Sequence, residues 1–480
     1  MLPPRARTAL CPVRKVRVAR MQGPAASPAL SPTSVVITTD SQTVAPISLR
    51  KALRCRCWLI AILLGLLLLA LAAVATLAII FNLNSQCAIG PEEDVRTIVQ
   101  AATVGSNCNS HELLNHLQLP PGMESSVFVC GLLAPRQLTP VRIDVIGDVL
   151  FVGSRAFRQN SSVYAIVDAE ADGVADTVVT IDSGLDQPNG VEWLNDVLYV
   201  ATARALLRYD GVERALRGEA DHTRRTVINA ETFPALAQLQ WHYLRAFDGA
   251  LYASNSAGCD HCVPPDVKAA AIVRLDPKNC FAASVHTAGV RFSVGFAFDP
   301  AGELIFTNNA HDSVDADPAW DTINRAPSAG RDFGFPHCYT TGESQSSASS
   351  MEYLQSGHAS DYSTNDAGPS EATCAAYARG KAIGEHIAPL GVCFRDAEEL
   401  LIAERGAFGG PPAGHQISTI RVDFTGYSPL ITGFVNMSSG TSWGRPVDVQ
   451  MAPGGGDVFF VSDDKSHSIL RFVGSNRASV

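Results

Sequence analysis

A chain of 480 residues, 46% hydrophobic and 18% charged, is too long for one small core and too apolar for a wholly disordered polymer, so two or more regions are expected. Its net charge of −10 is unevenly spread: ten Lys/Arg and one Asp precede Trp58, which leaves 27 basic against 46 acidic residues after it. A region near −19 argues against nucleic acid as a partner, because phosphate binding needs basic surface.

Residues 1–57 are rich in Pro, Ala, Ser, Thr and Arg with no apolar period, which predicts a disordered basic tail. Trp58–Phe81 reads WLIAILLGLLLLALAAVATLAIIF, without a charge or a proline. As a helix it would rise about 36 Å, enough to cross a hydrocarbon core of about 30 Å. Arg50, Lys51, Arg54 and Arg56 precede it, and Glu92, Glu93 and Asp94 follow. That bias predicts a single-pass type II membrane protein, with a cytosolic N-terminus and the rest extracellular or lumenal. A cleaved signal peptide would place a shorter apolar run near the start of the chain.

Two sequons, at Asn160 and Asn436, would then lie on the glycosylated side. Cys55 and Cys57 are juxtamembrane and either palmitoylated or free. Nine cysteines lie outside: Cys87, Cys108, Cys130, Cys259, Cys262, Cys280, Cys338, Cys374 and Cys393. An oxidising compartment favours disulfides among them, and the odd count leaves a thiol over.

Residues 82–120 are expected to form a short helical stalk or lead-in, and residues 121–476 change to short β-type runs broken by Gly, Asp, Asn and Pro. One unit recurs there, a turn followed by an apolar strand: GDVLFVGSR (147–155), NDVLYVATA (195–203), DGALYASNS (248–256), AGELIFTNN (301–309), AEELLIAER (397–405) and GGDVFFVSD (455–463). Spacing near that of a four-stranded propeller blade predicts an all-β, six-bladed β-propeller behind one transmembrane helix. The wide fourth gap holds a low-complexity insert, residues 342–371. A β-sandwich with irregular spacing is the alternative.

The phrases GLDQPNGVEWLNDVLYVATARALLRYD (184–210), GVRFSVGFAFDP (289–300), TINRAPSAGRDFGFPHC (322–338) and GRPVDVQMAPGGGDVFFVSDDKSHSILRF (444–472) are specific. Over roughly residues 121–475 the chain resembles the sorbosone dehydrogenase branch of the glucose/sorbosone dehydrogenases. These are six-bladed propellers that oxidise sugars with pyrroloquinoline quinone (PQQ) and calcium. The resemblance implies disulfides Cys259–Cys262 and Cys338–Cys374, although CDHC could also be half of a zinc site.

It also implies where the chemistry should sit. The family's base, which takes the sugar hydroxyl proton, falls at Leu239, and leucine accepts no proton. His242, three residues on, is either a displaced base or an ordinary packing residue. Arg291, Arg395 and Arg405 fall near cofactor-contacting positions, either holding the PQQ carboxylates or standing as rim charges. The Asn that accompanies the family's Arg is Phe292 here. Backbone carbonyls near Ala310 and His311 would hold calcium. From the residues alone, Asp168, Glu170, Asp172 and Asp176 space oxygens like the start of an EF-hand loop. Val179 stands where the bidentate Glu belongs, so the loop is either a weak second calcium site or a solvated acidic turn. Two functions follow: a membrane-anchored PQQ-dependent sugar (sorbosone/aldose) dehydrogenase of doubtful competence, or a non-catalytic propeller that binds a glycan or protein partner.

Overall fold

The computed structural model describes residues 90–474 except 105–107, 109, 157–160, 230–231, 237–239, 261, 265, 313–318, 341–350, 354–376 and 407–411, together with residues 65–67. Met1–Ala75 and Thr76–Val480 are separate compact units, and residues 65–67 of the first are helical. Among the described residues no helix is long and apolar enough to cross a membrane. Apart from residues 65–67, the span Trp58–Phe81 lies outside them, as do Asn160, Leu239, Cys374 and most of the 342–371 insert.

The second unit is a six-bladed β-propeller. Each recurring apolar run is the second strand of one blade: Gly147–Ser154, Val197–Ala201, Ala250–Asn255, Leu304–Asn308, Glu399–Glu404 and Val458–Asp463. The strands before them, Pro135–Ile143, Gly190–Leu194, Leu244–Phe247, Phe296–Phe298, Pro389–Phe394 and Pro446–Met451, touch one another in sequence and wall a central channel. The ring closes because blade 6 takes its outermost strand, Glu124–Cys130, from the N-terminal side and pairs it with Ser468–Val473. The insert lies between the third strand of blade 4, Trp320–Ala326, and its last, Lys381–Glu385.

The apolar runs are continuous because both sheet faces are buried. Val149 and Phe151 enter the cluster shared with blade 2, while Leu150 and Val152 enter the one shared with blade 6. Four further clusters fill the remaining blade–blade gaps. With a side-chain period of two, each strand glues two interfaces, and full burial of a Phe such as Phe151 is worth about 1.5–3 kcal/mol. Inner strands approach closely at glycine: a Cβ on Gly391 would collide with the Asp448 carboxylate and the Val449 nitrogen.

In place of a helical stalk, the described part of the lead-in forms a belt of two strands and one short helix. Glu92–Arg96 adds a fifth strand to blade 2, and Ile98–Ala101 a fifth to blade 1, each antiparallel to the blade's outer strand. The short helix His111–His116 follows, with His116 stacked on Trp443 at 3.6 Å. Open edge strands offer unpaired N–H and C=O groups, and β-type runs such as EEDVR and IVQA satisfy them. Cys108–Cys130 ties the belt to blade 6. Cys259 is bonded to Cys262, as the resemblance implies, which removes the zinc reading. Cys280 and Cys338 are also in disulfides, and Cys393 is a buried free thiol.

Candidate functional site

Inner and second strands run antiparallel, with Pro135 opposite Ser154, Pro389 opposite Glu404 and Pro446 opposite Asp463. Residues that begin an inner strand or end a second strand therefore meet at one rim of the channel. Arg136, Arg155, Trp241, Arg405, Arg445 and Asp464 all occupy such positions.

They form a cationic cluster around an indole. The guanidinium carbons of Arg136, Arg155 and Arg405 lie 4.6, 4.5 and 6.0 Å from the Trp241 ring centre. Arg136 Nη1 donates to Asp464 Oδ2 at 2.6 Å, and Arg405 Nη2 donates to the same oxygen at 2.8 Å. Arg445 donates to the carbonyls of Arg405 and Gly406. Asp463 spends its carboxylate on the backbone N–H groups of Arg445, Lys465 and Ser466. Burial, then repulsion from Arg136 and Arg405, brings Arg155 down to about 9. Burial and Arg405 bring Arg445 down to about 10. Burial would raise the Asp464 carboxyl, but Arg136 and Arg405 outweigh it and hold it below its ordinary value.

Four guanidiniums thus gather near Asp463 and Asp464, with Asp186 also acting on Arg155, and among the described residues two buried donors here, Arg136 Nε and Trp241 Nε1, find no acceptor. Buried donors without partners are rare, and a positive cluster that keeps two is chemically suited to an anion with a flat face. Beside it, Trp241, Phe292, Val294, Leu390 and Val447 form a small apolar cluster, with Phe292 edge-on to the indole at 5.6 Å.

Deeper in the channel a polar plug crosses between blades. Tyr243 Oη donates to both oxygens of Asp448 at 3.1 Å, and Arg245 donates to Tyr243 Oη at 2.6 Å and to Glu192 Oε2 at 3.3 Å. Burial raises Glu192 to about 7 and Asp448 to about 6 against the pull of Arg245.

Among the residues expected from the sequence, Arg405 joins the cluster. Arg395 does not: it follows the other end of the same hairpin, roughly 17 Å of strand away, and is paired with Asp457 and Glu399. His242 is 1% exposed, stacked on Phe233 at 4.0 Å, with Nδ1 2.9 Å from the Ser254 carbonyl and Nε2 3.2 Å from the Ala203 carbonyl. Burial holds its pKa below the ordinary value, and its geometry is that of the packing residue.

Arg291 turns to Asp260 and to the carbonyls of Asn309 and Ala310. The Ala310 oxygen expected to hold calcium therefore faces a guanidinium 2.5 Å away, and a dication does not fit against it. His311 packs edge-on to Tyr339. A cavity of about 30 Å³ beside Arg291 and His311 has room for about one water.

The acidic loop has the form of the solvated turn. Asp168 accepts from Asp172 N and Gly173 N, Asp172 from Val174 N, and Asp176 from Ala169 N, while the Arg471 guanidinium lies against Gly173. Glu170 is exposed. Among the described residues no group of three or more His, Cys, Asp or Glu is placed to hold a metal.

Arg136, Arg155 and Arg445 were not expected from the sequence. A signal existed: the recurring unit ends in Arg at 155 and at 405, which places both at one rim once the blades are aligned.

No protein-family model and no curated protein matches the sequence. Solved structures do. The holo PQQ domain of pyranose dehydrogenase from Coprinopsis cinerea aligns over 74% of this chain and 97% of its own, at 18% identity and TM-score 0.59. A Trichoderma reesei carbohydrate-active enzyme of family AA12 aligns over 75% of this chain and 98% of its own, at 18% identity and TM-score 0.57, and its calcium structure at 17% and 0.57. The fold of this chain is therefore a six-bladed propeller of the kind found in PQQ-dependent sugar dehydrogenases.

Proposed function

We propose that this chain is a membrane-anchored, PQQ-binding, sugar dehydrogenase-like protein whose turnover is weak. The observation that carries it is the channel-mouth cluster, where guanidiniums surround an indole and two buried donors find no acceptor among the described residues, an arrangement suited to a planar tricarboxylate. PQQ, when bound, supplies a quinone that accepts a hydride from a sugar carbon. Arg136, Arg155, Arg405 and Arg445 would hold its carboxylates, Trp241 would give it an aromatic neighbour, and the polar plug would close the channel beneath. The anchor rests on Trp58–Phe81 and its charged flanks, and the disulfides agree with folding outside the cytosol.

Proton removal is the weak step. Leucine occupies the family's base position, and His242 is buried between two carbonyls. A positioned base is worth about 10²–10⁴-fold, so oxidation is expected to be slower by about that much. The test titrates the detergent-solubilised full chain with PQQ by tryptophan fluorescence, then follows dye reduction on a panel of aldoses. We expect saturable quenching, weakened about 10–100-fold by Arg136→Ala. We also expect slow sugar oxidation that Leu239→His accelerates. Quenching indifferent to Arg136→Ala would overturn the assignment of the cofactor. Rapid oxidation by the wild type would overturn the assignment of weak turnover.

A further inference from the structure

Among the described residues, the polar partners that cage the Arg291 guanidinium are all oxygens. Its Nε donates to the Asp260 carbonyl at 2.8 Å, its Nη1 to the carbonyls of Asn309 at 3.3 Å and Ala310 at 2.5 Å, and its Nη2 to Asp260 Oδ1 at 2.6 Å. Asp312 Oδ2 stands 3.7 Å from Nη2. The Arg291 side chain is 5% exposed. Three backbone carbonyls and two carboxylates are the donor set that calcium selects, hard oxygens from main chain and Asp. Here a guanidinium fills it, spending its fork of N–H donors on the same oxygens.

Two chain segments build the cage. Asp260 lies in the Cys259–Cys262 loop that follows the second strand of blade 3, and the Cys259–Cys262 disulfide closes the turn around it. Asn309, Ala310 and Asp312 follow the second strand of blade 4, and the Asp312 backbone N–H donates to Asp260 Oδ1 at 2.8 Å, which joins the two segments.

We infer that Arg291 takes the place of a calcium ion in this chain, so that the channel mouth binds its anionic ligand without a metal. The inference rests on the proposed function for the ligand but not for the cage. The positive charge that orders this rim is covalent and permanent, and it needs no calcium supply. Arg291 is on this view a positioning residue for the rim rather than a direct ligand of the cofactor.

The experiment uses the full chain in detergent, stripped with EGTA. Melting midpoints are recorded with and without calcium chloride in the absence of PQQ, and PQQ affinity is then measured in both conditions. The wild type is expected to melt and to bind PQQ alike with and without calcium. Arg291→Ala empties the cage, and its melting midpoint is expected to rise with calcium. If that variant folds only when calcium is present, the same conclusion follows. If it does not fold at all, the bulkier Arg291→Gln makes the same comparison. A loss of about tenfold or more in wild-type PQQ affinity on chelation would overturn the inference. So would an Arg291 variant that folds and responds to calcium no more than the wild type. Failure of the wild type to bind PQQ would sink the proposed function while leaving the melting comparison intact.

Discussion

One oxygen of Asp464 receives both Arg136 and Arg405, at 2.6 and 2.8 Å, in surroundings where its side chain is 6% exposed. Removing one partner from a buried ionic group costs more than the pair itself contributes, because the charges left behind stay desolvated. Asp464→Asn is therefore expected to destabilise the protein by about 3–5 kcal/mol in denaturant melts. Millimolar sulfate or another polyanion should recover part of that loss by occupying the emptied cluster. A variant that melts like the wild type would mean the guanidiniums are better hydrated than their burial indicates. Residue identity alone is a poor guide here: Arg395 and Arg405 read alike in sequence, yet one is fully engaged with Asp457 and Glu399 at the far end of the hairpin.

At the scale of elements, two disulfides act on very different lengths of chain, one tying the belt to blade 6 and one closing a turn in blade 3. Cys108–Cys130 spans 22 residues and Cys259–Cys262 spans 3. If a crosslink stabilises by restricting the unfolded chain, the longer loop contributes about 3 kcal/mol and the shorter about half that. Cys108→Ser with Cys130→Ser should consequently lower the unfolding free energy about twice as much as Cys259→Ser with Cys262→Ser. Equal losses would indicate that the shorter disulfide acts mainly in the native state, through the turn that holds Asp260 against Arg291. The belt strands are expected to share the loss in the first pair, since they lead directly into Cys108.

At the scale of the whole molecule, six carboxyl groups among the described residues are buried with raised pKa values, Asp168 one of them. Burial takes Glu192 and Glu404 to about 7, and Asp321, Asp448 and Asp463 to about 6. The folded state thus holds protons that the unfolded chain releases near its ordinary carboxyl values. Their contribution is complete below those values and is lost as pH rises through the folded ones. His242, His286 and His415 have lowered values and act oppositely, losing stability as pH falls below their ordinary 6.5. The melting midpoint should therefore rise as pH is brought from about 8 to about 6, with Glu192 and Glu404 contributing about 1 kcal/mol each. Glu404→Gln, which keeps one acceptor oxygen for Gln416 or Tyr427 and removes the titrating proton, should flatten that slope. A midpoint that falls steadily over this interval would mean these carboxyls stay ionised inside the ring.

The sequence by itself determined the repeating architecture. Each apolar run of the GDVLFV kind is a local, period-two pattern, and six of them, each bounded by a turn, already specify second strands buried on both faces. The phrases around them carried the family resemblance and the Cys259–Cys262 pairing, because both depend on residues close together in the chain. Only the tertiary structure decided the site. Arg136, Arg155, Arg405 and Arg445 are separated by up to about three hundred residues, and nothing local marks them as neighbours of Trp241 until the ring closes. Closure also decided that Arg291 is enclosed by oxygens from two blades, that His242 lies between two carbonyls, and that Arg395 faces the opposite rim. A strand's side-chain period tells which face a residue takes, but which blades meet at the channel depends on long-range packing of the six cores.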